Sequence, residues 1–177
     1  MIARVAIMLA VALVGQVATT SVPPIERHRV GLVELGTAAQ KVYDAFPAER
    51  RDLVDLGYEG MLSPALLLRF PGTKQRDGVV AELDGGRGLI VWRIEIRDPA
   101  FKTSKGIGVG STVRELRGAY RLDSVVSGEG SVAIRVEELS ASFVLDQSGP
   151  GGGQLSQLRL PSAVPDPTKV KSVLLTD

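Results

Sequence analysis

One pattern constrains the fold of this chain more than any other: it repeats. LGTAAQKVYDAF (residues 35–46) lies over VGSTVRELRGAY (109–120) at an offset of 74. Gly36 meets Gly110 and Ala45 meets Ala119, while Leu35/Val109, Thr37/Ser111, Val42/Leu116 and Phe46/Tyr120 agree in chemical type. VWRIEIRD (91–98) lies over VKSVLLTD (170–177) at an offset of 79, and AELD (81–84) over FVLD (143–146) at 62. The last two offsets differ because residues 147–169, rich in Gly and Pro, form an insertion in the final loop. Amphipathic helices resemble one another through periodicity alone. The weight therefore rests on the order of elements, which recurs along with the residues and predicts a duplicated unit.

The elements follow from spacing. Leu35, Ala39, Val42 and Phe46 recur at 4, 3 and 4, one face of a helix, and Pro47 ends it. Val109, Val113, Leu116 and Tyr120 repeat that spacing. Thr37 with Gln40, and Thr112 with Glu115, are spaced as capping boxes. Residues 48–62 are expected to hold a second short helical turn before Gly57. Strands are predicted at 65–70, 79–83, 88–98, 132–137, 141–146 and 170–176. In 88–98 the alternation sets Ile90, Trp92, Ile94 and Ile96 on one face and Arg93, Glu95 and Arg97 on the other. The expected core is Leu35, Ala39, Val42, Phe46, Trp92, Ile94, Ile96, Val113, Leu116, Tyr120, Ile134, Phe143 and Leu145.

A half of ~70 residues buries too little apolar surface to stand alone. Two helix-plus-three-strand halves side by side can share one antiparallel sheet covered by helices on one face, an α+β architecture. The expected organisation is a signal segment (1–21), an extended lead-in (22–29), a first repeat (30–98), a connection (99–106) and a second repeat (107–177) carrying the loop 147–169.

The first segment is an address. Arg4 is the only charge before Glu26, and VAIMLAVALVGQV (5–17) is an apolar run followed by Ala18-Thr19-Thr20-Ser21. A short positive start, an apolar stretch of about a dozen residues and small polar residues make a secretory signal pattern. The run is shorter than the ~20 residues that span a bilayer, so a membrane is expected only through an uncleaved signal. Cutting after Ser21 puts the small Thr19 at the third position back. The chain has no cysteine, which excludes disulfides, thiolate metal sites and a Cys nucleophile. Lys+Arg number 21 against 20 Asp+Glu, with 5% aromatics, so neither the field nor the stacking surface of a nucleic-acid binder is present.

A glycine-led helix start, G-x-[ST] followed by Leu/Val and Tyr/Phe and then three meandering strands, resembles the SmpA/OmlA outer-membrane assembly module. Two such units in tandem look like the β-lactamase inhibitory protein architecture. FKTSKGIGVGSTVRELRGAY (101–120) is similar to a phrase of uncharacterised exported bacterial proteins. The resemblance implies the fold and a partner-binding role. The chain departs from both families in lacking the lipoprotein cysteine of the first and the disulfide cysteines of the second, and no inhibitor or assembly residue carries over.

Candidate chemistry is sparse. KGIGVGST (105–112) lacks the lysine of a Walker A loop and the spacing of a dinucleotide fingerprint, so its glycines read as a tight chain reversal. His28, the single histidine, sits between Arg27 and Arg29 and reads as solvated. Glu82, Asp84, Glu95, Asp98, Glu137, Glu138 and Asp146 include a conceivable carboxylate pair, but they fall on outward strand positions and strand ends. No cofactor or metal is expected.

The reading that follows is an exported, non-enzymatic interaction module of the bacterial envelope, periplasmic or secreted, that docks a protein partner. Its docking surface is either the open sheet face carrying Arg69, Glu82, Arg93, Glu95, Arg97, Arg135 and Glu137, or the loop 147–169. The alternatives are an exported hydrolase using acidic residues on envelope carbohydrate or peptide, and a small-ligand carrier.

Overall fold

The computed structural model describes residues 22–58, 61–74, 78–128, 130–149 and 152–177; the signal segment expected at 1–21 lies outside them. In chain order the elements are β1 (Ile25–Glu26), β2 (Arg29–Val30), β3 (Val33–Glu34), α1 (Ala39–Ala45), β4 (Arg51–Tyr58), β5 (Met61–Leu68), β6 (Val79–Asp84), β7 (Ile90–Ile96), α2 (Val113–Ala119), β8 (Ser124–Gly128), β9 (Ser131–Val136), β10 (Ala141–Leu145) and β11 (Val170–Thr176). Short 3-10 turns lie between them. The protein is a mixed α/β molecule of mostly antiparallel sheet with few helices. The first three strands form a small sheet of their own, and the other eight form one sheet in the order β4-β5-β6-β7-β11-β10-β9-β8. No helix among the described residues is long and apolar enough to cross a membrane.

The strand order is that of two meanders meeting at their last strands. β7 pairs β11 through Val173↔Ile96, Leu174↔Glu95, Leu175↔Ile94 and Thr176↔Arg93. Each meander carries a helix before it, attached in the same way. Gly36 and Gly110 both adopt left-handed backbone, at φ +78° and +84°, where glycine alone is unstrained. The Gly36 N–H then reaches Val91 O (2.7 Å) while the Val91 N–H reaches Thr37 O (2.9 Å). The Gly110 N–H reaches Val170 O (2.8 Å) while the Val170 N–H reaches Ser111 O (2.8 Å). A bulge also recurs. Glu82 faces Arg93 but Leu83 faces Val91, leaving Trp92 as the extra residue; Val144 faces Ser172 but Leu145 faces Val170, leaving Lys171.

Alternation packs one buried cluster. It takes Val79, Ala81 and Leu83 from β6, Val91, Ile94 and Ile96 from β7, Phe143 and Leu145 from β10, and Val173 and Leu175 from β11. These meet Val42 of α1 with Phe46 at its end, and Val113 and Leu116 of α2 with Tyr120 at its end. Phe46, Phe70 and Phe101 extend the cluster edge to face, at centroid separations of 5.1 and 5.2 Å. Of the expected core, Leu35 and Ala39 pack at its margin and Trp92 is outside it, 39% exposed. The bulge is the reason: it seats Val91 inward where strict alternation seats Trp92.

Other expectations need correction. Within 22–29, Ile25 is buried and its N–H bonds to Lys102 O. The connection 99–106 likewise contributes a fully buried Phe101. The helical turn of 48–62 is confined to Ala48–Arg50, and β4 follows it at once. Each meander has four strands, because β4 and β8 were hidden by weak patterning at the two sheet edges. Both helices are shorter than the 12-residue repeats that contain them.

The caps differ as well. Thr112 accepts from the Glu115 N–H and the Glu115 carboxylate accepts from the Thr112 N–H, a complete capping box. At α1 the N-cap is Ala38 and no side chain caps it. The Glu115 carboxyl is held below the usual carboxylate range, first by the backbone N–H of Thr112 and then by its hydroxyl. Thr112→Ala is expected to cost about 1 kcal/mol, while Thr37→Ala changes stability little; urea unfolding of the two variants checks this. Because the folded pKa of Glu115 is depressed, the cap stabilises above the ordinary carboxylate pKa and weakens as pH falls through the lowered one.

Candidate functional site

The eight-stranded sheet brings most of the sequence-predicted residues onto one face. One row crosses every strand: Ser124, Arg135, Ser142, Leu174, Glu95, Val80, Leu67 and Asp52. The adjacent row holds Thr176, Arg93, Glu82, Ala65 and Val54. Arg69, Arg97 and Glu137 lie two residues along from Leu67, Glu95 and Arg135, so the pleat directs them to the same side.

These residues are not a set of free charges. The Arg93 fork bonds Glu82 with both arms, Nε to Oε1 at 2.7 Å and Nη2 to Oε2 at 2.8 Å. Arg97 bonds Glu95 at 2.9 and 2.6 Å, and Arg69 bonds Asp52 at 2.8 Å. Arg135 reaches Glu137 at 3.2 Å and the Thr176 hydroxyl at 3.0 Å. The expectation that the whole set faces solvent fails most clearly at Glu82, whose side chain is 1% exposed beneath an Arg93 that is itself only 14% exposed. A central position in a wide sheet, roofed by long neighbouring side chains, buries the carboxylate. Only its bidentate partner makes that burial tolerable.

What sequence reasoning missed is the residue the bulge releases. Trp92 turns away from the core, and the Arg93 guanidinium lies over its indole at 4.8 Å. Bulges recur where a sheet must re-aim a side chain. The alignment of the two repeats held a hint, since the residue over Trp92 is Lys171, and a lysine marks a position that faces water.

The remaining candidates hold the structure together. Asp98 is buried and accepts from the N–H groups of Lys74 and Ala100, both at 2.8 Å. Asp84 and Asp146 accept from Gly86 and Ser148 N–H within their turns, and Glu138 pairs with Lys105. No group of three His, Asp or Glu residues able to hold a metal occurs among the described residues. His28 is half-buried rather than solvated. Its Nε2 lies 2.9 Å from the Ser140 hydroxyl, which also accepts from Arg27, so the pair ties the first hairpin to the β9–β10 turn. In the glycine-rich stretch, a Cβ on Gly108 would lie 2.3 Å from Phe101 O, a close backbone approach that explains the glycine without a ligand.

The loop 147–169 is folded onto α2. Leu155 and Val164 are buried in the common cluster, and Arg117 donates to Pro161 O (3.1 Å) and Val164 O (3.2 Å) and pairs with Asp166.

No family model matches the chain, and no curated protein does. Among solved structures, the chain is similar to the uncharacterised protein yfeY from Escherichia coli, with a TM-score of 0.60 and 16% identity over 87% of this chain and 99% of that one. At that identity the likeness is one of fold.

Removing one member of the central ion pair strands the other. Arg93→Ala is expected to destabilise by about 3–5 kcal/mol, and Glu82→Leu with Arg93→Leu together by less than Arg93→Ala alone. A double-mutant cycle in denaturant measures both.

Proposed function

We propose that this chain is an exported, non-enzymatic binding module of the bacterial cell envelope, built by duplication of a helix-and-meander unit, and that it docks a protein partner on the sheet face around Trp92 and Arg97. Several observations support the duplication. The glycine that leads each helix, the pair of hydrogen bonds it makes to the last strand and the bulge in that strand recur from Gly36 to Gly110, from Val91 to Val170 and from Trp92 to Lys171. In this reading the helices of both halves cover one sheet face and leave the other for recognition. The signal pattern of residues 1–21 is the basis for the export.

The observation that carries the docking site is the exposed indole. A tryptophan is seldom presented to water by a core-forming strand, and here a bulge presents it beside Arg93, itself oriented by the Glu82 carboxylate. Tryptophan and arginine supply most of the affinity at protein interfaces, through large rigid contact area and planar donors. Glu82 and Glu95 are each held by an arginine, Arg93 and Arg97, which favours a structural part for these acids over the hydrolase reading.

The test separates folding from docking. Arg93 is unsuited to it, because its loss leaves Glu82 buried and unpaired. Trp92→Ala combined with Arg97→Ala removes exposed and half-exposed groups, and stability is expected to stay within about 1 kcal/mol of wild type. Affinity capture from an envelope extract is expected to lose the partner in this double variant. A partner retained at wild-type level would remove the face from consideration and leave the segment 147–169 as the next surface to examine.

A further inference from the structure

The space behind the helix is treated differently in the two meanders. Behind α2, residues 152–169 fill the space: Leu155 and Val164 are 4% and 2% exposed, and the N–H groups of Val113 and Arg114 bond to Thr168 O and Asp166 O. The corresponding space behind α1 has no such filling, since the β6–β7 connection is only residues 85–89. It is an apolar groove of about 310 Å³ lined by Ala39, Tyr43, Leu53, Leu66, Leu83 and Leu89. Leu53 is 65% exposed and Leu89 46%.

The groove opens at a bare sheet edge. β4 pairs with β5 in one unbroken register over all eight of its residues, and on its outer side it has no partner among the described residues. It carries neither a proline nor a bulge, two of the devices that protect edges. The opposite edge, β8, is five residues long.

We infer that this edge is covered by a second copy of the chain, β4 pairing antiparallel with the other copy's β4 about a two-fold axis at Leu53, so that each groove is closed by the dimer. Charge selects the register. Arg51, Leu53 and Asp55 alternate onto the groove side. Centring the pair on Leu53 sets leucine against leucine and Arg51 of each copy against Asp55 of the other. Asp55 is exposed and holds no ion pair among the described residues, whereas Arg51 is already fixed, with Nη1 donating to Phe46 O at 2.6 Å and its guanidinium over the Tyr43 ring at 3.6 Å. Because Leu53 faces Leu66 across β4–β5, the pairing makes a continuous apolar floor beneath the two copies of α1. The contact is self-complementary, as a two-fold interface must be. It does not depend on the proposed docking face, which lies on the other side of the sheet.

The absence of cysteine makes the test direct. Leu53→Cys in the full-length protein is expected to oxidise to a covalent dimer, because facing residues of an antiparallel pair bring Cα atoms within the ~4.4–6.8 Å that a disulfide spans. Val126→Cys on the β8 edge is expected to stay uncrosslinked. In sedimentation equilibrium the wild type is expected to be a dimer. Leu53→Asp and Asp55→Lys should each raise its dissociation constant by roughly 100-fold or more, since a two-fold interface carries every substitution twice, with unchanged circular dichroism. A monomeric wild type, a dimer that survives both substitutions, or a co-purified lipid or peptide found in the groove by mass spectrometry would each overturn the inference.

Discussion

Everything else in this fold hangs on the antiparallel pairing of β7 with β11. It joins the last strand of one meander to the last strand of the other, with Ile94 and Ile96 facing Leu175 and Val173 at zero exposure. Without it each half is a small sheet with one helix of seven residues. A helix that short is marginal in isolation, and a half of this size buries too little apolar surface to offset chain entropy. Joined, the halves make a sheet eight strands wide whose central strands are flanked on both sides. Only in the middle of so wide a sheet do neighbouring side chains crowd the face opposite the core enough to bury the Glu82–Arg93 pair.

The same joint explains the two bulges. In both halves the last strand must pair with the strand before it and also receive the glycine-led start of its helix, through Val91 in one case and Val170 in the other. Inserting one residue, Trp92 or Lys171, next to that valine breaks the alternation at the point where the helix start docks. The extra residue is then turned away from the core. In the second half it is a lysine, which suits water. In the first it is a tryptophan, whose exposure costs apolar burial that other positions must supply. That exposed indole is the observation on which the proposed docking face rests.

How far the sequence discloses this depends on which physical signal each element carries. The central strands and the two helices are legible because their apolar residues recur with the period of the element: Val42 and Phe46, Leu116 and Tyr120, and Ile94 and Ile96 are all buried where spacing sets them. The edge strands are not. In RDLVDLGY the charges and leucines of β4 do not alternate cleanly, since an edge strand beside an unfilled groove has no continuous core to face. The small N-terminal sheet escaped notice because two-residue strands have no period. At the site, alternation groups Arg93, Glu95 and Arg97 on one face, but it does not disclose that Glu82 is buried, which depends on the strand paired beside it and the Arg93 that covers it. It also misassigned Trp92, because a bulge leaves no mark in the strand's own pattern. The lysine that overlies it in the second repeat was the one available sign.

Trp92 is the only tryptophan in the chain, so its fluorescence reports on this position alone. The central claim is that the bulge holds that indole out on the arginine-bearing face of a rigid sheet. Acrylamide quenching of the native protein tests it most directly. The account predicts emission already red-shifted in the folded state and quenched there by acrylamide, with unfolding in guanidinium raising accessibility only by the remaining share of a partly exposed indole. A blue-shifted emission shielded from acrylamide until the protein unfolds would place the indole in the core, and would contradict both the bulge and the docking face proposed from it.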